Sequence, residues 1–354
     1  MALEEGSYEK PIRRAAAPEP YPAKRAARGR WIRRLRPPVA PCDPWTPQAV
    51  FCETEPDPDD RRPRRTLTVL LTGRRCPWTC VMCDLWRRAA PGPIPPGAVP
   101  RQLAAALRTG APNGLPAQAL KLYNAGSFFD AAAVPPRDWP AVAALAVGFE
   151  RVIVESHPKL VDPGAARFLE ALRAAARARG RPAPALEVAL GLETAHPAVL
   201  EKLNKGATLD DFRRACAFLR GLGAEARAFV LLNPPFLPPE EHLPWAVRSA
   251  AFAFDCGAAV AAILPVRPGN GAIEALQERG LFHSAPIRLL EEALAACFRL
   301  GRGIVLADTW DLDRLECCRR CLPLRAENLE RMNLSQTPSA PVVCPDCDPA
   351  GGQP

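Results

Sequence analysis

The chain has 354 residues, 48% of them hydrophobic, which is enough for one large α/β domain with appendages. Its longest apolar stretch, 246–266, is broken by Arg248, Asp255 and Gly257, so no membrane span is expected. Glu4, Glu5 and Glu9 interrupt the start of the chain, where a secretory signal needs a continuous apolar run. The thirteen cysteines are too unevenly spread for a disulfide scaffold and point to metal binding in a reducing, cytoplasmic setting, while the net charge of +8 favours a phosphate-rich partner.

In chain order, residues 1–45 mix Arg, Ala and Pro with little periodicity and read as mostly extended or mobile. The positive charge concentrates in 11–36 and 61–65, either as a nucleic-acid contact or as a solvated arm. Residues 1–65 are therefore expected to form a partly disordered N-terminal extension. From there, β-prone runs recur at Leu67–Leu71, Leu120–Tyr123, Arg151–Glu155, Leu186–Leu190, Ala228–Leu232, Val260–Val266 and Ile304–Ala307. Helical patterns separate nearly all of them. In 208–223, Thr208 is placed to cap, Asp211 follows three residues later, Leu209, Phe212, Cys216 and Leu219 form an apolar stripe, and Gly221 and Gly223 supply the stop. Ile287, Leu290, Leu294, Cys297 and Phe298 share a face in the same way before Gly301. Strands alternating with helices imply right-handed βαβ units and a parallel sheet. Six or seven units suggest a partial (βα)6-type TIM barrel over 66–308, with a doubly wound open sheet as the alternative. The stretch 309–354 shows neither pattern and reads as a small cysteine-rich tail module.

Directly after the first strand comes Gly73-Arg74-Arg75-Cys76-Pro77-Trp78-Thr79-Cys80-Val81-Met82-Cys83, three thiols on one loop at C-x3-C-x2-C spacing. A [4Fe–4S] cube has four irons, each wanting a terminal ligand, so Cys76, Cys80 and Cys83 would leave one iron open. S-adenosylmethionine (SAM) can chelate an open iron through its amino and carboxylate groups and receive an electron at the sulfonium. A structural zinc site would want a fourth local ligand, and an electron carrier four cysteines per cluster. Met82, just before the last cysteine, could pack on an adenine or simply join the core.

These residues resemble the radical SAM superfamily, and the likeness extends over about 66–300. Asn124-Ala125-Gly126-Ser127 occupies the place of the family's glycine-rich segment, which binds the SAM amino group, but lacks its acid. Glu155-Ser156-His157-Pro158 and Gly191-Leu192-Glu193-Thr194 close two further strands, as do their counterparts in the elongator-like branch. Leu203-Asn204-Lys205-Gly206-Ala207-Thr208 and Leu231-Leu232-Asn233-Pro234-Pro235-Phe236-Leu237 look like the same branch. Within that branch the chain resembles the radical SAM subunit of archaeosine synthase and its uncharacterised bacterial relatives. The resemblance implies a radical SAM barrel whose Asn124, Ala125, Gly126, Ser127, Glu155 and Glu193 contact SAM. It implies a 5′-deoxyadenosyl radical that abstracts hydrogen from a substrate, with a modified tRNA base as the candidate and a lyase or transferase reaction. A low-potential donor such as flavodoxin or ferredoxin and a partner enzyme subunit are implied as well. His157, beside Pro158, reads more readily as a turn residue than as a catalyst.

Cys318-x2-Cys321 and Cys344-x2-Cys347 form two knuckle-like pairs 22 residues apart, with Cys317 as a spare. Four thiolates suit tetrahedral zinc, or an auxiliary iron–sulfur cluster. Cys216 and Cys297 fall on apolar helix faces as core residues. Two rival readings of the whole chain follow from its cysteines and charge: a zinc-dependent nucleic-acid-binding protein without catalysis, and an iron–sulfur electron-transfer subunit.

Overall fold

The computed structural model describes residues 20–109 and 116–347. The parts of the expected N-terminal extension before residue 20 and of the tail module after 347 lie outside them. Eight strands form one sheet in chain order: β1 (Ala49–Pro56), β2 (Pro63–Leu71), β3 (Ala119–Asn124), β4 (Arg151–Ser156), β5 (Ala185–Glu193), β6 (Glu225–Leu231), β7 (Val260–Leu264) and β8 (Ile304–Ala307). β1 runs antiparallel to β2, and every later pair is parallel. The helices are α1 (Arg25–Leu35), α2 (Ala98–Thr109), α3 (Trp139–Ala146), α4 (Val161–Ala178), α5 (Pro197–Lys202), α6 (Leu209–Leu222), α7 (Pro239–Asp255), α8 (Ala272–Gln277), α9 (Ile287–Phe298) and α10 (Leu322–Ser335). Among the described residues, no helix is long and apolar enough to cross a membrane.

All seven strands read from the sequence are present, and α6 starts and stops as its residues dictate. Thr208 Oγ1 accepts the Asp211 N–H at 3.1 Å, Asp211 Oδ2 accepts the Thr208 N–H at 2.8 Å, and Gly223 ends the helix with φ 72°. One face of the sheet is apolar: Leu67, Val69, Leu120, Leu122, Val152, Val154, Val188, Leu190, Ala228 and Ile263 pack with the helices in one continuous core. Cys216 and Cys297 are buried in that core.

The other face curls into a half-barrel. Glu55 on β1 is 2.8 Å from Arg227 on β6, five strands away in the sheet order. In a flat sheet those strands would be about 24 Å apart at about 4.8 Å per step. The sheet is therefore rolled onto itself, and the open doubly wound alternative does not apply. Side chains inside the roll stack in layers. At the bottom, Lys121 meets Glu53 at 2.5 Å and Glu55 at 2.6 Å, Arg227 meets Glu187 at 2.5 Å, and Arg151 meets Glu187 at 3.6 Å and Asp59 at 2.8 Å. Burial alone would raise the Glu55 carboxyl, but Arg227 and Lys121 outweigh it and hold it down at about 2. Tyr123, Ile153, Ala189 and Phe229 form an apolar layer above these charges. The mouth lies above that layer, at the C-terminal strand ends.

Two elements stand where the sequence reading has an extended arm. β1 does not look like a strand because its Glu53 and Glu55 serve the charged floor. α1 buries Arg28, Gly29, Trp31 and Ile32, with Trp31 and Ile32 in a second apolar cluster with Val81, Leu203, Leu231 and Phe282 and Arg28 bonded to Glu201, and its other arginines dominate the pattern.

Candidate active site at the barrel mouth

The three-cysteine loop leaves β2 at the mouth and is fastened from several sides. Val81 donates its N–H to Leu203 O at 3.0 Å, and Asn204 Nδ2 donates to both Thr79 O and Thr79 Oγ1 at 2.9 Å. Asn204 holds a left-handed φ of 61° to do this. Asn270 Nδ2, ahead of α8, donates to Val81 O at 2.8 Å and Cys83 O at 3.3 Å. Trp78 stacks on His157, ring centroids 3.7 Å apart and planes within 4° of parallel, so His157 braces the loop. Burial, then the Lys205 charge, press His157 down to about 3, which keeps it neutral. Gly29 of α1 faces the loop closely enough that an added Cβ would lie 3.0 Å from Thr79 Oγ1.

Cys76, Cys80 and Cys83 are each half-buried. Burial pushes the Cys76 thiol up to about 11 and those of Cys80 and Cys83 up to about 12. Free thiolates are disfavoured here, and a coordinated metal is what deprotonates such thiols. Beneath them, Lys205 Nζ meets Glu193 Oε1 at 2.6 Å, both side chains only 9% exposed. Burial alone would lower the lysine, but Glu193 and then Cys80 carry it above the usual lysine value. Glu193 sits at a register shift in β5 with φ 67°, and a Cβ on Gly191 would fall 2.3 Å from both Glu193 Oε1 and Lys205 Nζ. Only glycine leaves room for that ion pair.

On the neighbouring strand β4, Glu155 Oε1 accepts the Asn124 N–H at 2.5 Å. Burial raises this carboxyl to about 8, with the Asn124 N–H and Lys205 pulling the other way. Asn124 has both amide atoms buried without a hydrogen-bond partner among the described residues, and a Cβ on Gly73 would lie 2.6 Å from its Nδ2. A buried amide with neither atom satisfied is costly unless a ligand completes it, so these residues fit a polar cofactor at the mouth. Of the remaining residues singled out in the sequence, Ala125 is buried beside Asn124, and Gly126 lies under Arg74, whose carbonyl would be 3.3 Å from an added Cβ. Ser127 is turned to Ser156, Oγ to Oγ 2.8 Å, tying the ends of β3 and β4. Met82 packs half-buried against the second apolar cluster.

Lys205, Asn204 and Asn270 are functional candidates that the sequence reading did not single out. Lys205 and Asn204 lie inside the Leu203–Thr208 run, but their partners come from other strands and loops. Beside the loop, α1 opens a cavity of about 480 Å³ lined by Arg25, Arg30, Arg33, Thr79 and Asn204.

In the tail, the Cys318, Cys321, Cys344 and Cys347 sulfurs all lie within 4.8 Å of one another. Cys318 to Cys321 is 3.5 Å, Cys318 to Cys344 is 3.6 Å and Cys321 to Cys347 is 3.6 Å. Cys317 comes within 3.4 Å of Cys321 but stays outside the set.

The chain thus builds a rolled half-barrel with a three-cysteine loop at the C-terminal strand ends, followed by a tail that gathers four cysteines. No family model matches the chain. It is 26% identical to archaeosine synthase subunit beta of Methanosarcina acetivorans over 297 residues, 80% of this chain and 82% of the relative. The protein of the same name from Thermococcus kodakarensis is 32% identical over 135 residues, 37% of this chain and 39% of that one. Among solved structures, Elp3 of Methanocaldococcus infernus aligns with a TM-score of 0.47 at 14% identity, over 67% of this chain and 59% of that one. Methylornithine synthase aligns with a TM-score of 0.44 at 14% identity, over 78% and 83%.

Proposed function

We propose that this chain is a radical SAM enzyme whose cluster ligands are Cys76, Cys80 and Cys83. When bound, a [4Fe–4S] cluster and SAM supply reductive cleavage of the sulfonium to methionine and a 5′-deoxyadenosyl radical, which takes hydrogen from a substrate. The observation that carries the reading is the convergence on one mouth of three half-buried thiols, the unsatisfied Asn124 amide, the half-buried Glu155 and the buried Glu193.

The chain's own part is positioning. Asn124 would complete its amide hydrogen bonds on SAM, with the Ala125–Gly126 backbone beside it. Glu155 would accept from the amino or ribose groups, standing in from β4 for the acid that Asn124–Ser127 lacks. Lys205 balances negative charge at the cluster and fixes Glu193. α1 and the Trp78–His157 stack keep water from the loop. Electrons would come from flavodoxin or ferredoxin.

A modified tRNA base is the substrate this reading favours, supported by relatives named as a subunit of archaeosine synthase and by the arginine-lined cavity beside the loop. Those relatives' name also supports a partner subunit.

The test is anaerobic reconstitution with iron and sulfide, then electron paramagnetic resonance of the reduced protein with and without SAM. A [4Fe–4S] signal that changes with SAM, together with 5′-deoxyadenosine, is expected. A cluster whose spectrum ignores SAM would move the chain to electron transfer. Zinc alone at the loop would leave the nucleic-acid-binding reading in front.

A further inference from the structure

The tail cysteines form a second metal site unlike the first, and the geometry points to a single tetrahedral zinc ion held by Cys318, Cys321, Cys344 and Cys347 that clamps α10 across the seam of the half-barrel. Four ligands at about 2.3 Å around one ion put neighbouring sulfurs about 3.8 Å apart. The three close pairs here are 3.5, 3.6 and 3.6 Å apart. A cubane cluster gives each thiolate its own iron and spreads the sulfurs well beyond the 4.8 Å that contains all four. Cys76, Cys80 and Cys83 form no such close-packed set, which divides the two centres by geometry alone. Across the two knuckles, Arg320 pairs with Asp346 at 3.8 Å, which ties the chain after Cys318 to the chain between Cys344 and Cys347.

What the ion fixes follows from α10. Cys321 directly precedes this helix, and Cys344 and Cys347 return to the same end after it. Along the helix, Asn333 Oδ1 accepts the Ala307 N–H at 2.8 Å and its Nδ2 donates to Ala307 O at 2.9 Å. Gln336 does the same for Val305, at 2.9 Å and 2.8 Å. These two amides replace the strand that would otherwise pair with the free edge of β8. α10 also touches β1, the opposite edge of the sheet, and Phe51 of β1 meets Trp310 edge-on at 5.2 Å. Arg325 and Asn328 anchor the helix to Glu291 of α9 at 2.5 Å and 2.9 Å. The zinc knot thus holds the start of the element that closes the barrel between its two edges.

The experiment uses the full chain with Cys76→Ala, Cys80→Ala and Cys83→Ala combined, so that the loop thiols contribute nothing and the outcome is independent of the SAM reading. About one zinc per chain is expected without acid-labile sulfide, and cobalt in its place should give the absorption of a tetrahedral tetrathiolate. Iron with sulfide in this protein, a lone iron, or no bound metal would overturn the assignment. If the triple variant does not fold, the unaltered chain decides the same point: about one zinc beside about four irons is expected after reconstitution, and about eight irons without zinc overturns it. Hydrogen exchange tests the clamp. On chelation of the zinc, the Val305 and Ala307 amides should exchange about tenfold faster or more, and unchanged protection there overturns the clamping role.

Discussion

The loop and tail cysteines use one side chain in two opposite ways. At the mouth, three half-buried thiols project from a loop fastened by Asn204, Asn270 and the Trp78–His157 stack, so on the proposed reading the barrel builds the site and the metal is a guest. In the tail, four sulfurs crowd within 4.8 Å of one another at the start of α10, so on the zinc assignment the metal builds the site. On these readings, position separates a reactive centre from a structural one better than cysteine count does.

The strongest way to break this comparison is Cys80→Ala. It should abolish SAM cleavage, a drop of about a thousandfold or more in 5′-deoxyadenosine formation, while tail zinc stays in place; loss of both metals would show the sites to be one system. Cys344→Ser should do the reverse. Thermal unfolding should fall by several kcal/mol with the loop cluster still assembled in the surviving fold, as read by cluster absorption.

Lys205→Met probes how the barrel prepares the mouth. It strands Glu193 as a buried, unpaired carboxylate, with an expected loss of about 3 kcal/mol in denaturant unfolding; a neutral effect would mean that the pair does not hold the site. Glu155 gives a smaller, pH-dependent effect. Its pKa is raised from the ordinary 4.5 to about 8 in the folded chain, so its contribution is full below about 4.5 and is lost as pH rises through about 8. Glu155→Gln keeps an acceptor for Asn124 and should flatten that part of the stability profile of the metal-free protein between pH 5 and 9. Replacing Arg25, Arg30 and Arg33 together by Ala should leave unfolding nearly unchanged. It should weaken RNA binding about tenfold at low salt, with a shallower salt slope in a filter-binding assay.

What could be read from the chain was what lies close together along it. The loop thiols fall within eight residues, and the α6 capping box within four, so local spacing carried both. The seven parallel strands were legible because their outer faces are apolar against the helices. β1 was not, because Glu53 and Glu55 look like linker residues until Lys121 and Arg227 are brought to them across the roll. The arm before it was read as extended, yet α1 folds there on three buried side chains, Arg28, Trp31 and Ile32. At the mouth, the Glu155–Asn124 and Lys205–Glu193 contacts join residues 31 and 12 positions apart, and the sheet makes the first pair neighbours while the loop between α5 and α6 folds back over β5 for the second.

The ion-paired floor has one more consequence. Glu53, Glu55, Lys121, Arg151, Glu187 and Arg227 fill the lower end of the roll with ion pairs, and the proposed site faces the doorway at the other end. On the proposed reading, SAM, substrate and spent products all share that doorway, so arrivals and departures have to queue. Turnover would then follow a fixed order of entry, set by the ion pairs that fill the far end as much as by the thiols at the near one.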